Sequence, residues 1–103
     1  QNSLRLIYLA EVEQFSDNGE YYSATTNCGS NSHLANPINI NLFGGSKTIP
    51  QENKPDFYFC IESNDVATEY RAFAYKVNGN DWFSIDQNNN HIGEQNGASI
   101  DNW

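Results

Sequence analysis

Apolar residues recur at helical spacing from the start of the chain: Leu4, Ile7, Tyr8, Val12 and Phe15, with Leu6, Leu9 and Ala10 widening the same face. Arg5, Glu11, Glu13 and Gln14 supply the polar side. Asn18-Gly19 then offers the left-handed backbone that stops a helix, and Tyr21-Tyr22 begins a new element. The pattern predicts one amphipathic helix over about residues 1–17, packed through Leu4, Ile7, Tyr8, Val12 and Phe15.

Beyond it the chain is punctuated rather than periodic. The loop of about 18–56 is rich in Ser, Thr, Asn and Gly, and holds Pro37, Pro50, Pro55 and Gly44-Gly45. Only Ile38 to Phe43 alternates, which predicts a short strand or an extended segment lying on a sheet. Three clearer strands follow. Asp56 to Glu62 is a near-continuous aromatic run, Tyr70 to Val77 alternates, and Trp82 to Asp86 is the third. Asn78-Gly79-Asn80-Asp81 separates the last two with a hairpin signal, and Asn64-Asp65 separates the first two. An α+β fold results: the N-terminal helix on one face of a three- to four-stranded antiparallel sheet, with sheet and tail over 57–103.

Length makes this a single domain over 1–103. A formal charge of −8, with Arg5, Lys47, Lys54, Arg71 and Lys76 scattered, argues against nucleic acid as a partner. No apolar run approaches the roughly 18 residues of a membrane span, and nothing at Gln1 reads as a signal peptide. Nucleophile elbows, phosphate loops and HExxH pairs are lacking, and His33 and His91 stand without a base–orienter pattern. The expectation is no enzyme and no catalytic residue. The strand aromatics suit a small core. Alternation nonetheless leaves Tyr58, Tyr75 and Trp82 for the outer face, where a sugar platform would need exposed rings with polar neighbours.

Candidate metal chemistry is confined to one segment. Asp86, Asn88 and Asn90 match the first three ligands of a calcium loop, with Glu94 as a further carboxylate. The pattern then breaks: His91 stands where the turn glycine belongs and Gly97 where the bidentate Glu belongs. The simpler reading is a polar turn whose Asn residues accept unusual backbone angles.

The stretch Leu6 to Tyr22 resembles the type IV pilins and pseudopilins, whose globular domains commonly read Ile-x-x-Ala-Glu, an aromatic pair, Asn-Gly and Tyr. Ile7, Ala10, Glu11, Phe15, Asn18, Gly19 and Tyr22 occupy those places. The resemblance covers the helix well and the remainder loosely. It implies a structural subunit of a bacterial type IV pilus-like filament, self-associating helically and with other pilin-like subunits on the cell surface. The family's hydrophobic N-terminal segment does not occur in these residues. The chain is therefore read as a trimmed soluble domain, whose membrane contact before assembly would run through that segment alone. Acidic globular domains would then meet cations such as Arg5, Lys47 and Lys54 on adjacent copies.

In such domains a disulfide typically ties the loop after the helix to the sheet, which here would pair Cys28 with Cys60. The alternative is two unpaired thiols, one in a strand. The family's turn like Ile85-Asp86 to Ile92 joins two final strands without metal. The tail more weakly resembles type II secretion pseudopilins, through Glu94, Gly97, Ile100, Asp101 and Trp103. Those bind calcium near this end, but their Asn-Asp-Pro-Trp-Gly segment has no counterpart after Asn80-Asp81-Trp82. The competing classes are thus a calcium-stabilised pseudopilin and an extracellular binding module.

Overall fold

The structure, a computed structural model, describes residues 2–29, 33–46, 48–50 and 56–101. Its elements are α1 (Asn2–Asn18), α2 (Ala35–Leu42), β1 (Phe57–Glu62), β2 (Arg71–Lys76), β3 (Trp82–Asp86), β4 (His91–Gln95) and β5 (Ala98–Ile100). The strands form one antiparallel meander in chain order. Both helices lie on the same face, α1 across β2 and β3 and α2 against β1. The architecture is α+β, as the pattern predicts, with five strands rather than three or four.

The extra strands come from turn chemistry in the tail. Asn96 and Gly97 both take left-handed angles (φ 54° and 80°) and close a two-residue hairpin between β4 and β5. Asn-Gly is as strong a signal here as at 78–79, but the strands it joins are short and polar. Trp103 of the pseudopilin-like tail lies outside the described residues, as do Lys47 and Lys54.

Register sorts the side chains into two faces. Phe59, Ala74 and Phe83 are cross-strand partners, as are Ile61, Ala72 and Ile85, and all six are buried beneath the helices. Ala72 and Ala74 keep this face of β2 small, so Leu4 and Ile7 of α1 sink fully into the layer. Ala35, Ile38 and Ile49 complete the core over β1.

Two expectations are corrected. Residues Ile38 to Phe43 are largely helical, within α2, not extended. Ala35, Ile38, Asn39 and Leu42 stand at i, i+3, i+4 and i+7, so a helix turns Ile38 and Asn39 to one side together, and both are buried. Pro37 sits in the first turn, where its absent N–H breaks no intrahelical bond. The Asn39 amide then clamps the returning chain: its Nδ2 donates to the Ile49 carbonyl (2.9 Å) and its Oδ1 accepts the Ile49 N–H (2.8 Å). That neutral, doubly satisfied amide is why a polar residue occupies the core.

The second correction concerns α1. Leu4 and Ile7 pack as predicted and Tyr8 is half-buried against the core, but Val12 is 48 % exposed. Phe15, 36 % exposed, stacks on Tyr21 of the following loop, 4.6 Å between ring centroids, rather than on the sheet. Glu11, placed on the polar side, is fully buried. The buried stripe runs Leu4, Ile7, Glu11 at helical spacing, and Val12 falls one residue's rotation, about 100°, off its axis.

Candidate functional site

Of the sequence-predicted metal residues, the side chains of Asp86 and Asn90 meet, while Glu94 stands apart. Asp86, at the end of β3, accepts the N–H groups of Asn88 and Asn90 on Oδ1 (2.9 Å each). Its Oδ2 accepts from Asn90 Nδ2 (3.0 Å) and from Arg71 Nη2 (3.3 Å). Asn89, at φ 62°, turns the corner. Asn88 therefore enters through its backbone, and a guanidinium stands beside the carboxylate. Glu94 pairs with Trp82 at the far end of the β3–β4 ladder, about 13 Å along the strands from Asp86. Among the described residues no group of three or more His, Cys, Asp and Glu could hold a metal ion. The segment forms a polar turn held by Asp86, with Asn89 taking the unusual backbone angle.

Arg71 also donates through Nη1 to Ser84 Oγ (3.0 Å), and Ser84 passes a bond to the Ile92 carbonyl (3.0 Å). This chain runs across β2, β3 and β4 on the face away from the helices. Sequence reasoning missed it because only register puts Arg71 opposite Asp86.

Cys28 and Cys60 form a disulfide. The bridged loop lies along the free edge of β1. Ala24 and Thr25 donate to the Ile61 carbonyl, Ser63 donates to Thr25, and Leu34 donates to Phe59. The Cys28 N–H donates to Glu62 Oε1 (2.9 Å). A covered edge cannot recruit a foreign strand there.

Among the described residues, two surfaces stand out for a partner. The first is the outer side of α1, where Leu6 is 44 % and Leu9 63 % exposed, beside the exposed Val12. Leu6, Leu9 and Ala10 meet Leu42 and Phe43 across an open groove of about 490 Å³. Glu13 and Asp17 mark its acidic end. The amphipathic pattern counted Leu6 and Leu9 as widening a buried face; here they widen it into solvent. The second is the outer sheet face, where Tyr58, Tyr75 and Trp82 stand half-buried in one cross-strand row.

Between α1 and the sheet lies the buried Glu11. Its Oε1 accepts the Tyr22 N–H (2.7 Å), while its Oε2 and the Tyr70 hydroxyl are buried without a hydrogen-bond partner. Burial pushes the Glu11 carboxyl up to about 8, against a smaller downward pull from the Tyr22 N–H. Burial, and after it the Glu11 charge, raise the Tyr70 phenol. Spacing could have found Glu11, since it is i+7 from Leu4 and i+4 from Ile7. Its charge argued otherwise, because carboxylates are rarely buried. No family model, curated protein or solved structure matches the chain.

Proposed function

We propose that the chain is the globular domain of a type IV pilin-like filament subunit, at the bacterial cell surface. The observation that carries the reading is a helix apolar on two sides. Leu4 and Ile7 are spent on the sheet, and Leu6, Leu9 and Val12 still face outward. A helix with that distribution suits burial on both faces, one in its own domain and one among neighbouring copies. The layout supports it further: helix, disulfide-bridged loop, then an antiparallel meander beneath the helix.

In this reading α1 continues upstream into an apolar segment that packs with its copies in the filament core. The groove between α1 and α2 receives a neighbouring subunit. The predicted role of Arg5, Lys47 and Lys54 as cationic contacts belongs to the same proposal.

Leu9→Glu in the native full-length subunit tests it. Leu9 is mostly in solvent in the isolated domain, so its melting temperature should stay within about 3 °C. Filaments visible by electron microscopy should disappear. Filaments at wild-type yield, or a native gene with no apolar segment upstream of Gln1, would overturn the proposal.

A further inference from the structure

The sheet face turned away from the helices holds a second arrangement, independent of α1. Tyr58, Tyr75 and Trp82 are direct cross-strand neighbours on β1, β2 and β3, so their row spans two strand spacings, about 10 Å. Phe73 supports it from the adjacent row. Its ring lies parallel to that of Tyr75, 7° between planes and 5.3 Å between centroids. It also meets Trp82 at 6.0 Å with a 50° tilt. Tyr75 thus lies flat along Phe73. Burial raises its phenol first and the Glu62 charge second.

The loop from Lys76 to Asp81 closes one end of the row, making an open hollow of about 490 Å³. Its polar groups are amides and a carboxylate: Asn78, held at φ 60°, Asn80 and Asp81. Asp81 is anchored, accepting the Asn96 N–H on Oδ1 (3.1 Å). Glu94 extends the row onto β4. The Lys76 ammonium is drawn to the other side, 5.3 Å over the Phe57 ring.

Aromatic faces in a row, edged by amides and carboxylates, fit a ligand with apolar C–H faces and a hydroxyl periphery. C–H groups meet the negative ring faces, and hydroxyls donate to and accept from Asn and Asp side chains. Anionic ligands are disfavoured by Asp81, Glu94 and a net charge of −8. A quaternary ammonium wants rings that enclose it, whereas these stand on one sheet face. We propose that the Tyr58–Tyr75–Trp82 row and the β2–β3 loop bind a neutral oligosaccharide. The filament reading is not required: the site lies on the opposite side of the sheet from the α1–α2 groove.

Titration of the isotopically labelled chain with maltotetraose, cellotetraose, chitotetraose and lacto-N-tetraose, followed by amide chemical shifts, tests the proposal. At least one sugar should give saturable shifts confined to β1–β3 around this row and to the β2–β3 loop. Trp82→Ala should weaken binding about tenfold, the size of one aromatic stacking contact. Asn80→Ala, on an exposed loop that leaves the sheet intact, should weaken it several-fold at unchanged melting temperature. Leu9→Glu should leave it unaltered, which separates this site from the filament contact. No localised shift with any of the four sugars at about 10 mM would overturn it. So would binding of sialyllactose or choline alone, or a Trp82→Ala effect on self-association without an effect on sugar binding.

Discussion

Glu11 is the residue whose environment most departs from its chemistry. A carboxyl enclosed by the helix–sheet interface, with one oxygen bonded to the Tyr22 N–H and the other unpartnered, is cheaper to keep protonated than charged. Its folded pKa of about 8 lies above the ordinary 4.5. Between those values the folded chain holds a proton that the unfolded chain has released, so stability falls as pH rises. The contribution is complete below the unfolded value and lost as pH passes through the folded one, on the order of 5 kcal/mol in all. Glu11→Gln keeps the acceptor for Tyr22 and removes the titration. It should flatten the fall and exceed wild type by about 1–3 kcal/mol at pH 9. Urea unfolding at pH 5, 7 and 9 measures this, and superimposable pH profiles for the two proteins would refute it. The residue's position was legible at i+7 from Leu4; its burial was not, because the same spacing serves a solvated rim.

At the scale of elements, local sequence reads well where the turn and the flanking pattern agree. The β2–β3 hairpin follows Asn78-Gly79, with Asn78 rather than Gly79 in the left-handed region, and α1 ends where Gly19 takes φ 74°. It reads poorly for α2, where Ile38, Ile40 and Leu42 alternate as a strand would. The helical alternative depends on a core that accepts Asn39 and leaves Ile40 in solvent at 55 % exposure. The β3–β4 turn shows the same limit in another form. Acidic and amide residues at alternate positions suit either a cation or the backbone, and Asp86 chooses the backbone and Arg71. Asp86→Ala strips those N–H donors of their acceptor and should cost about 2–4 kcal/mol in urea unfolding. Millimolar calcium should leave the wild-type melting temperature in place. A calcium-dependent rise of several degrees, abolished by Asp86→Ala, would support the metal reading instead.

For the whole molecule, the disulfide joins the bridged loop to a strand that would otherwise be an open edge. Cys28 and Cys60 are 32 residues apart, a closure that stabilises by about 3–4 kcal/mol through the unfolded chain. Replacing both with Ser should lower unfolding free energy by that amount. It should also expose the amides of Ala24 and Thr25, which donate to Ile61, to faster hydrogen exchange. Stability insensitive to the double substitution would show that strand-edge hydrogen bonds alone hold the loop. By itself the sequence determined the order of the main elements, the helix end, the central hairpin and the sheet's two-sided alternation. Those rest on periodicity and turn geometry within a few residues. Only tertiary structure decided that Glu11 goes inside, that residues 38–42 wind into a helix, that Arg71 meets Asp86, and that Leu6 and Leu9 stay in water. Each of these depends on a partner distant in the chain, and no local pattern carries the position of that partner.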